Sequence, residues 1–123
     1  MRKGRKGTIV VALVALMVAI FATAAYADTI VGNDRNNTLN ETNGDDDMFG
    51  YKGDDILYAN LFLAVDDVDN AYGGADTDFV YVNDGDSDDF AAGGAGPRDR
   101  CIVDDLSEVG NGCERVRVEP PVE

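Results

Sequence analysis

The stretch Gly44–Tyr58, GDDDMFGYKGDDILY, carries two Gly-Asp-Asp turns nine residues apart, each followed by bulky apolar residues. Met48 and Leu57 occupy the same place in their units, and Leu39 stands nine residues earlier. An acidic or amide residue lies two positions before each, so the unit reads G-x-D-x-U, where U is a large apolar residue. A fixed period of this kind predicts a repeat architecture in which successive units stack.

The same register continues to about residue 104 if insertions are allowed between units. Seven units result, and longer loops at residues 60–67 and 83–88 interrupt the fourth and the sixth. Their U residues are Leu39, Met48, Leu57, Ala71, Val80, Ala91 and Cys101. The residues two positions earlier, called slot residues below, are Asn37, Asp46, Asp55, Asp69, Asp78, Asp89 and Asp99.

The first 27 residues have the pattern of a secretory signal peptide. Arg2, Lys3, Arg5 and Lys6 precede an apolar run over residues 9–21, and Ala25-Tyr26-Ala27 is an A-x-A cleavage signal. We therefore expect a secreted, extracellular protein cleaved after Ala27. An uncleaved membrane anchor is the alternative, because the apolar run approaches spanning length.

The remaining 96 residues are enough for one small domain and are strongly acidic. The leader holds four of the ten Lys and Arg residues and no acid, which leaves six basic against 24 acidic residues, a net charge of −18. That charge repels nucleic acid and anionic membrane, so neither is expected as a partner of the cleaved protein. A disordered acidic chain is the alternative, but it does not predict the regular spacing.

Cys101 and Cys113 are the only cysteines, and the chain has no histidine. In an exported protein the two cysteines are expected to form a disulfide, with a metal or redox pair as the alternative. Without histidine, and with each carboxylate of the repeat in a slot, an enzyme is not expected. Zinc and copper sites have little support for the same reason.

The units resemble the nonapeptide G-G-x-G-x-D-x-U-x of RTX (haemolysin-type) calcium-binding proteins. GNDRNNTLN, TNGDDDMFG, YKGDDILYA, GGADTDFVY and GGAGPRDRC carry the resemblance, which covers about residues 32–104. It implies an all-β, right-handed parallel β-roll, with two units to a coil and the U residues pointing inward. We place this roll at residues 28–104, followed by a disulfide-linked cap and tail at residues 105–123.

The resemblance also implies Ca²⁺ between stacked turns, held by backbone carbonyls and slot carboxylates. Two edges result. The first edge stacks the turns ending at Asn37, Asp55, Asp78 and Asp99, and the second edge stacks those ending at Asp46, Asp69 and Asp89. Ions are expected first between Asp55 and Asp78 and between Asp78 and Asp99. Further candidate ligands in the turns are Gly53, Gly73, Gly74, Asp76 and Gly93.

Three alternatives remain open from the sequence. The apolar insert Leu61–Val65 or the acidic face could meet a protein or surface partner, which would make the chain an interaction module. The solenoid could also form without calcium. Finally, the acidic loop at residues 84–89 could hold a lone calcium ion or simply be solvated.

Overall fold

A computed structural model describes residues 26–61 and 67–121 of the chain. The predicted signal peptide, apart from Tyr26 and Ala27, and most of the insert Leu61–Val65 lie outside these residues. The described part is an all-β solenoid of stacked coils, in which every paired strand runs parallel to its neighbours. The predicted parallel β-roll is therefore confirmed.

Two parallel sheets form the walls of the roll, and the chain alternates between them. The first sheet has the order β1, β3, β5, β7, with bounds Thr29–Val31, Asp47–Lys52, Asn70–Ala75 and Phe90–Ala95. The second has the order β2, β4, β6, β8, β9, with bounds Thr38–Asn40, Ile56–Tyr58, Phe79–Tyr81, Arg100–Val103 and Arg115–Val118. A 3₁₀ turn at Leu106–Glu108 precedes β9.

The register between strands stacks the U residues directly on one another. Met48 pairs with Ala71 and Ala71 with Ala91 in the first sheet, while Leu57 pairs with Val80 in the second. Side chains alternate across a strand, so the residue between two outward neighbours points into the roll. All seven U residues are buried in one core cluster, which also contains Ala59, Val82 and Val103.

The residues that flank the U positions form stacks on the outer faces. The rings of Phe49 and Tyr72 lie 5.1 Å apart, and those of Tyr58 and Tyr81 lie 5.0 Å apart. These aromatic side chains are half-buried. Because parallel in-register strands bring equivalent side chains together, the rings of two adjacent coils stack on each face. The aromatic residues thus stabilise coil stacking from outside.

The C-terminal segment adds one more strand to the second sheet. Cys101 pairs with Val116 in parallel register, and β9 is the last strand of that sheet. A disulfide joins Cys101 to Cys113, with their Cα atoms 5.7 Å apart. The predicted bridge is present, and it ties the final strand to the core of the coil before it. No helix within residues 26–61 and 67–121 is long and apolar enough to cross a membrane.

We predict that the disulfide contributes about 3 kcal/mol to the free energy of unfolding, because it closes a loop of sequence separation 12. The double variant Cys101→Ala/Cys113→Ala should lower the urea midpoint accordingly. Reducing the wild-type protein is the matched control, since it removes the cross-link but keeps both side chains in place. Equal urea midpoints for the oxidised and reduced wild-type protein would contradict the prediction.

Candidate metal centre

The slot residues of the first edge form a ladder that links each coil to the next. The backbone N–H of Asn37 donates to Asp55 Oδ1 at 2.7 Å, and that of Asp55 donates to Asp78 Oδ1 at 2.8 Å. The N–H of Asp78 donates to Asp99 Oδ1, also at 2.8 Å. The sequence prediction that these four residues share one edge is correct. One oxygen of each carboxylate is therefore committed to holding the fold.

The other oxygen of each first-edge carboxylate has no such partner. Asp55, Asp78 and Asp99 are completely buried, and the Oδ2 atom of each lacks a hydrogen bond. Burying a carboxylate oxygen without a partner costs several kcal/mol on typical scales. Three such atoms in register on one edge constitute a line of uncompensated negative charge inside the roll.

A column of glycines lets two of these oxygens come close to the backbone, because no Cβ is in the way. A Cβ added to Gly50 would lie 2.4 Å from Asp55 Oδ2 and 2.3 Å from the carbonyl oxygen of Gly73, in the next coil. At Gly73 the corresponding neighbours are Asp78 Oδ2 at 2.6 Å and the Gly93 carbonyl oxygen at 2.7 Å. In each coil, then, a free carboxylate oxygen and a carbonyl oxygen of the next coil converge on one glycine.

The chemistry of this donor set fits a hard divalent cation. Calcium binds carboxylate and carbonyl oxygens at about 2.3–2.6 Å, in a flexible geometry. Two oxygens that both lie near the same absent Cβ are close enough to share such an ion. A side chain at Gly50 or Gly73 would occupy the position on which these two oxygens converge.

Burial also disturbs the ionisation of the first-edge carboxylates. The pKa of Asp78 is raised to about 7, chiefly by desolvation; the N–H of Asp55 opposes the shift, and the nearby charges of Asp99 and Asp55 contribute to it. The pKa values of Asp55 and Asp99 are raised by burial as well. Burial of the ionised ladder carboxylates is therefore unfavourable, and either protonation or a bound cation offsets that cost.

The second edge has the same ladder but differs in its surroundings. The N–H of Asp28 donates to Asp46 Oδ1 at 3.0 Å, that of Asp46 to Asp69 Oδ1 at 2.8 Å, and that of Asp69 to Asp89 Oδ1 at 2.8 Å. The prediction that Asp46, Asp69 and Asp89 stack together is thus correct.

On the second edge, residues with side chains stand where the first edge has glycines. The residue two positions after an inward apolar residue begins the next turn. In the turns of the first edge it is Gly32, Gly50, Gly73 or Gly93, whereas in those of the second edge it is Glu41, Ala59, Val82 or Val103. Both oxygens of Asp46 are also satisfied, because Thr42 donates its N–H and its hydroxyl to Oδ2. Asp69 Oδ2 and Asp89 Oδ2 are buried without a hydrogen-bond partner, as on the first edge, so the two edges differ chiefly in the absence of the glycine column from the second.

Gly53, Gly74 and Asp76, also predicted as turn ligands, lie on the turns of the first edge. Gly53 has φ +102° and Gly74 φ +115°, a region that favours glycine. Asp76 is exposed, and its Oδ2 accepts the N–H of Gly53 at 3.1 Å. Its carboxylate thus braces the preceding turn and does not join the buried ladder, whereas Gly73 and Gly93 line the glycine column.

The structure adds two slot residues that the sequence prediction missed. Asp28 precedes Ile30, whose side chain packs against the core, and both lie nine residues before Asn37 and Leu39. At the other end, Glu114 Oε2 accepts the N–H of Asp99 at 2.8 Å and so continues the first-edge ladder. The spacing Gly112-x-Glu114-x-Val116 preserves the repeat with Glu in place of Asp, and this signal could have revealed it.

A second group of acids lies in the long loops of the second edge. One carboxylate oxygen from each of Asp67, Asp84 and Asp86 lies within 4.8 Å of the others. The sequence suggested a lone site at residues 84–89, but it gave no reason to bring Asp67 there. None of the three is a slot residue, although the charge of Asp69 acts on Asp67 and those of Asp84 and Asp86 act on Asp89.

Comparisons with known proteins place no further constraint on the chain. No protein-family model, no curated protein and no solved structure matches it. The relation to RTX repeats therefore depends on the repeat pattern alone.

We predict that the calcium-free protein becomes less stable as pH rises. The pKa of Asp78 is raised from its ordinary value of 3.8 to about 7 on folding, so the folded state holds this proton more tightly than the unfolded state does. The resulting stability is fully present below about pH 4 and is lost as pH rises through about 7. Asp55 and Asp99 act in the same direction.

Thermal unfolding in calcium-free buffers should therefore give a higher melting temperature at pH 5 than at pH 8. The variant Asp78→Asn should show a weaker pH dependence, because an amide does not titrate in this range. A melting temperature that rises steadily from pH 5 to pH 8 would show that the buried carboxylates do not control stability.

Proposed function

We propose that the chain is an exported calcium-binding β-roll protein, similar to RTX repeat modules, in which Ca²⁺ bound between first-edge turns stabilises the fold. The observation that carries this proposal is the line of buried, unpartnered Oδ2 atoms of Asp55, Asp78 and Asp99. The Oδ2 atoms of Asp55 and Asp78 lie close to Gly50 and Gly73, each beside a carbonyl oxygen of the next coil. Export and an extracellular location follow from the leader pattern alone.

A cation relieves two costs of the folded state at once. It supplies the missing partner of each Oδ2 atom, and it offsets the repulsion between carboxylates stacked one coil apart. Protons relieve the same costs only at lower pH. Calcium needs the ionised carboxylates, so protons and calcium compete for them. The calcium-loaded protein is therefore expected to be most stable where the calcium-free protein is least stable.

The expected gain from calcium is moderate for each site and substantial in sum. Extracellular calcium modules bind with Kd of about 10⁻⁴ to 10⁻³ M. At about 1 mM calcium, a site with Kd of about 0.1 mM contributes roughly 1.4 kcal/mol to stability. Two such sites match a good part of the stability of a small domain, so folding itself is expected to depend on calcium.

The two expected ions share Asp78, which makes its substitution the most sensitive test. Asp78→Asn should lose the calcium stabilisation of both sites, whereas Asp99→Asn should lose that of one. Asn keeps the Oδ1 acceptor of the ladder but replaces the charged Oδ2 atom, the expected calcium ligand, with a neutral NH2 group. Unfolding followed by circular dichroism, with EGTA and with up to 10 mM calcium at pH 8, measures the difference.

Asp34→Asn is the matched control, because Asp34 lies in a first-edge turn but is exposed and pairs with Lys52 at 3.1 Å. It should respond to calcium as the wild-type protein does. A wild-type protein whose unfolding is unchanged by 10 mM calcium would be a calcium-independent solenoid, and the proposal would fail.

A further inference from the structure

The long loops of the second edge bring together acids from two consecutive coils. Asp67 ends the loop before β5, and Asp84 and Asp86 lie in the loop before β7. A carboxylate oxygen of each lies within 4.8 Å of the other two. Nothing in the nonapeptide pattern places these residues, because all three fall in insertions between units.

Two members of this acid cluster are buried with an unsatisfied oxygen. Asp67 is 3% exposed and Asp84 is 2% exposed. Asp67 Oδ1 and Asp84 Oδ2 have no hydrogen-bond partner. A solvated acidic loop, the simple interpretation of this sequence, would leave these oxygens in water, so their burial calls for another explanation.

Two neighbouring acids, Asp45 and Asp104, accept backbone hydrogen bonds. Asp45 Oδ1 accepts the N–H of Val68 at 3.0 Å, and Asp104 Oδ2 accepts the N–H of Gly85 at 2.6 Å. These carboxylates fix the backbone on either side of the cluster and add negative charge to it. Asp45 is among the charges that act on Asp67, and Asp104 among those that act on Asp84.

The backbone of the loop before β7 holds Asp84 and Asp86 in place. The N–H of Asp86 donates to Asp84 Oδ1 at 3.2 Å, and the N–H of Asp88 donates to Asp86 Oδ1 at 3.0 Å. One oxygen of Asp84 is thus used to shape the loop, and its other oxygen remains for a ligand. This division of the two oxygens parallels that of the first-edge slots.

We propose that Asp67, Asp84 and Asp86 form a further calcium site, which bridges two coils on the second edge independently of the repeat. Three carboxylates and no nitrogen or sulfur ligand favour a hard cation. Calcium accepts six to eight oxygens with carboxylates binding through one or both atoms, whereas magnesium requires a regular octahedron at about 2.0–2.1 Å. An irregular set from two loops suits calcium.

This site provides a coil-to-coil contact where the glycine column is absent. On the second edge, Ala59 and Val82 occupy the positions that glycines hold on the first edge. The ion would attach the loop of one coil to the loop of the next and so replace the stacking of regular turns. The insertions would then be calcium-dependent braces of the roll.

The test uses Asp84→Asn and Asp67→Asn, two variants from different loops that should remove the same ion. The slope of unfolding free energy against ln[Ca²⁺] at saturating calcium counts the ions released on unfolding. We expect each variant, and also their combination, to lower that count by one. Without calcium both should be at least as stable as the wild-type protein, because a buried charge has been removed. This second measurement separates loss of the ion from loss of the fold.

Asp88→Asn is the matched control, since Asp88 is an exposed acid in the same loop and outside the cluster. It should keep the wild-type count. If Asp84→Asn releases as many ions as Asp88→Asn, the site is wrong, and if magnesium supports the same slope the assignment to calcium is wrong. Asp78→Asn tests the first edge separately, so either set of sites can fail while the other stands.

Discussion

The roll depends on one repeated hydrogen bond, in which a buried carboxylate accepts the backbone N–H of the slot residue one coil earlier. On the first edge this bond runs from Asn37 to Asp55, Asp78 and Asp99. The oxygen that accepts it sets the position of the whole side chain. Burial of the second oxygen, the close approach of glycine carbonyls and the raised pKa of Asp78 all follow from that placement.

The difference between the two edges comes from a single position in the repeat. Where glycine follows the inward apolar residue by two positions, as at Gly50 and Gly73, a carboxylate oxygen and a carbonyl oxygen of the next coil both come close to the backbone. Where an aliphatic residue stands there, as at Val82, the side chain enlarges the core. The same ladder therefore supports a candidate ion column on one edge and apolar packing on the other.

The nine-residue spacing predicted the parallel roll, its core and seven slot residues of the two ladders, because a rigid period leaves few ways to stack coils. It did not reveal Glu114, because this unit departs from the repeat. It has Glu in the slot instead of Asp, and Cys113 comes directly before it. Nor did it predict the cluster of Asp67 with Asp84. Those residues come from insertions of different length, and only the folded coils bring them within reach of each other.

The direction of the ladder has a consequence for the order in which the chain becomes structured. Every slot N–H donates toward the C-terminus, and the last acceptor on the first edge is Glu114. A chain that emerges with its N-terminus first thus presents each coil before the coil that satisfies it. Completion of the roll waits for its final strand, and the disulfide between Cys101 and Cys113 then fastens that strand in place. The segment that the disulfide holds is thus the one that supplies the last acceptor of the first-edge ladder.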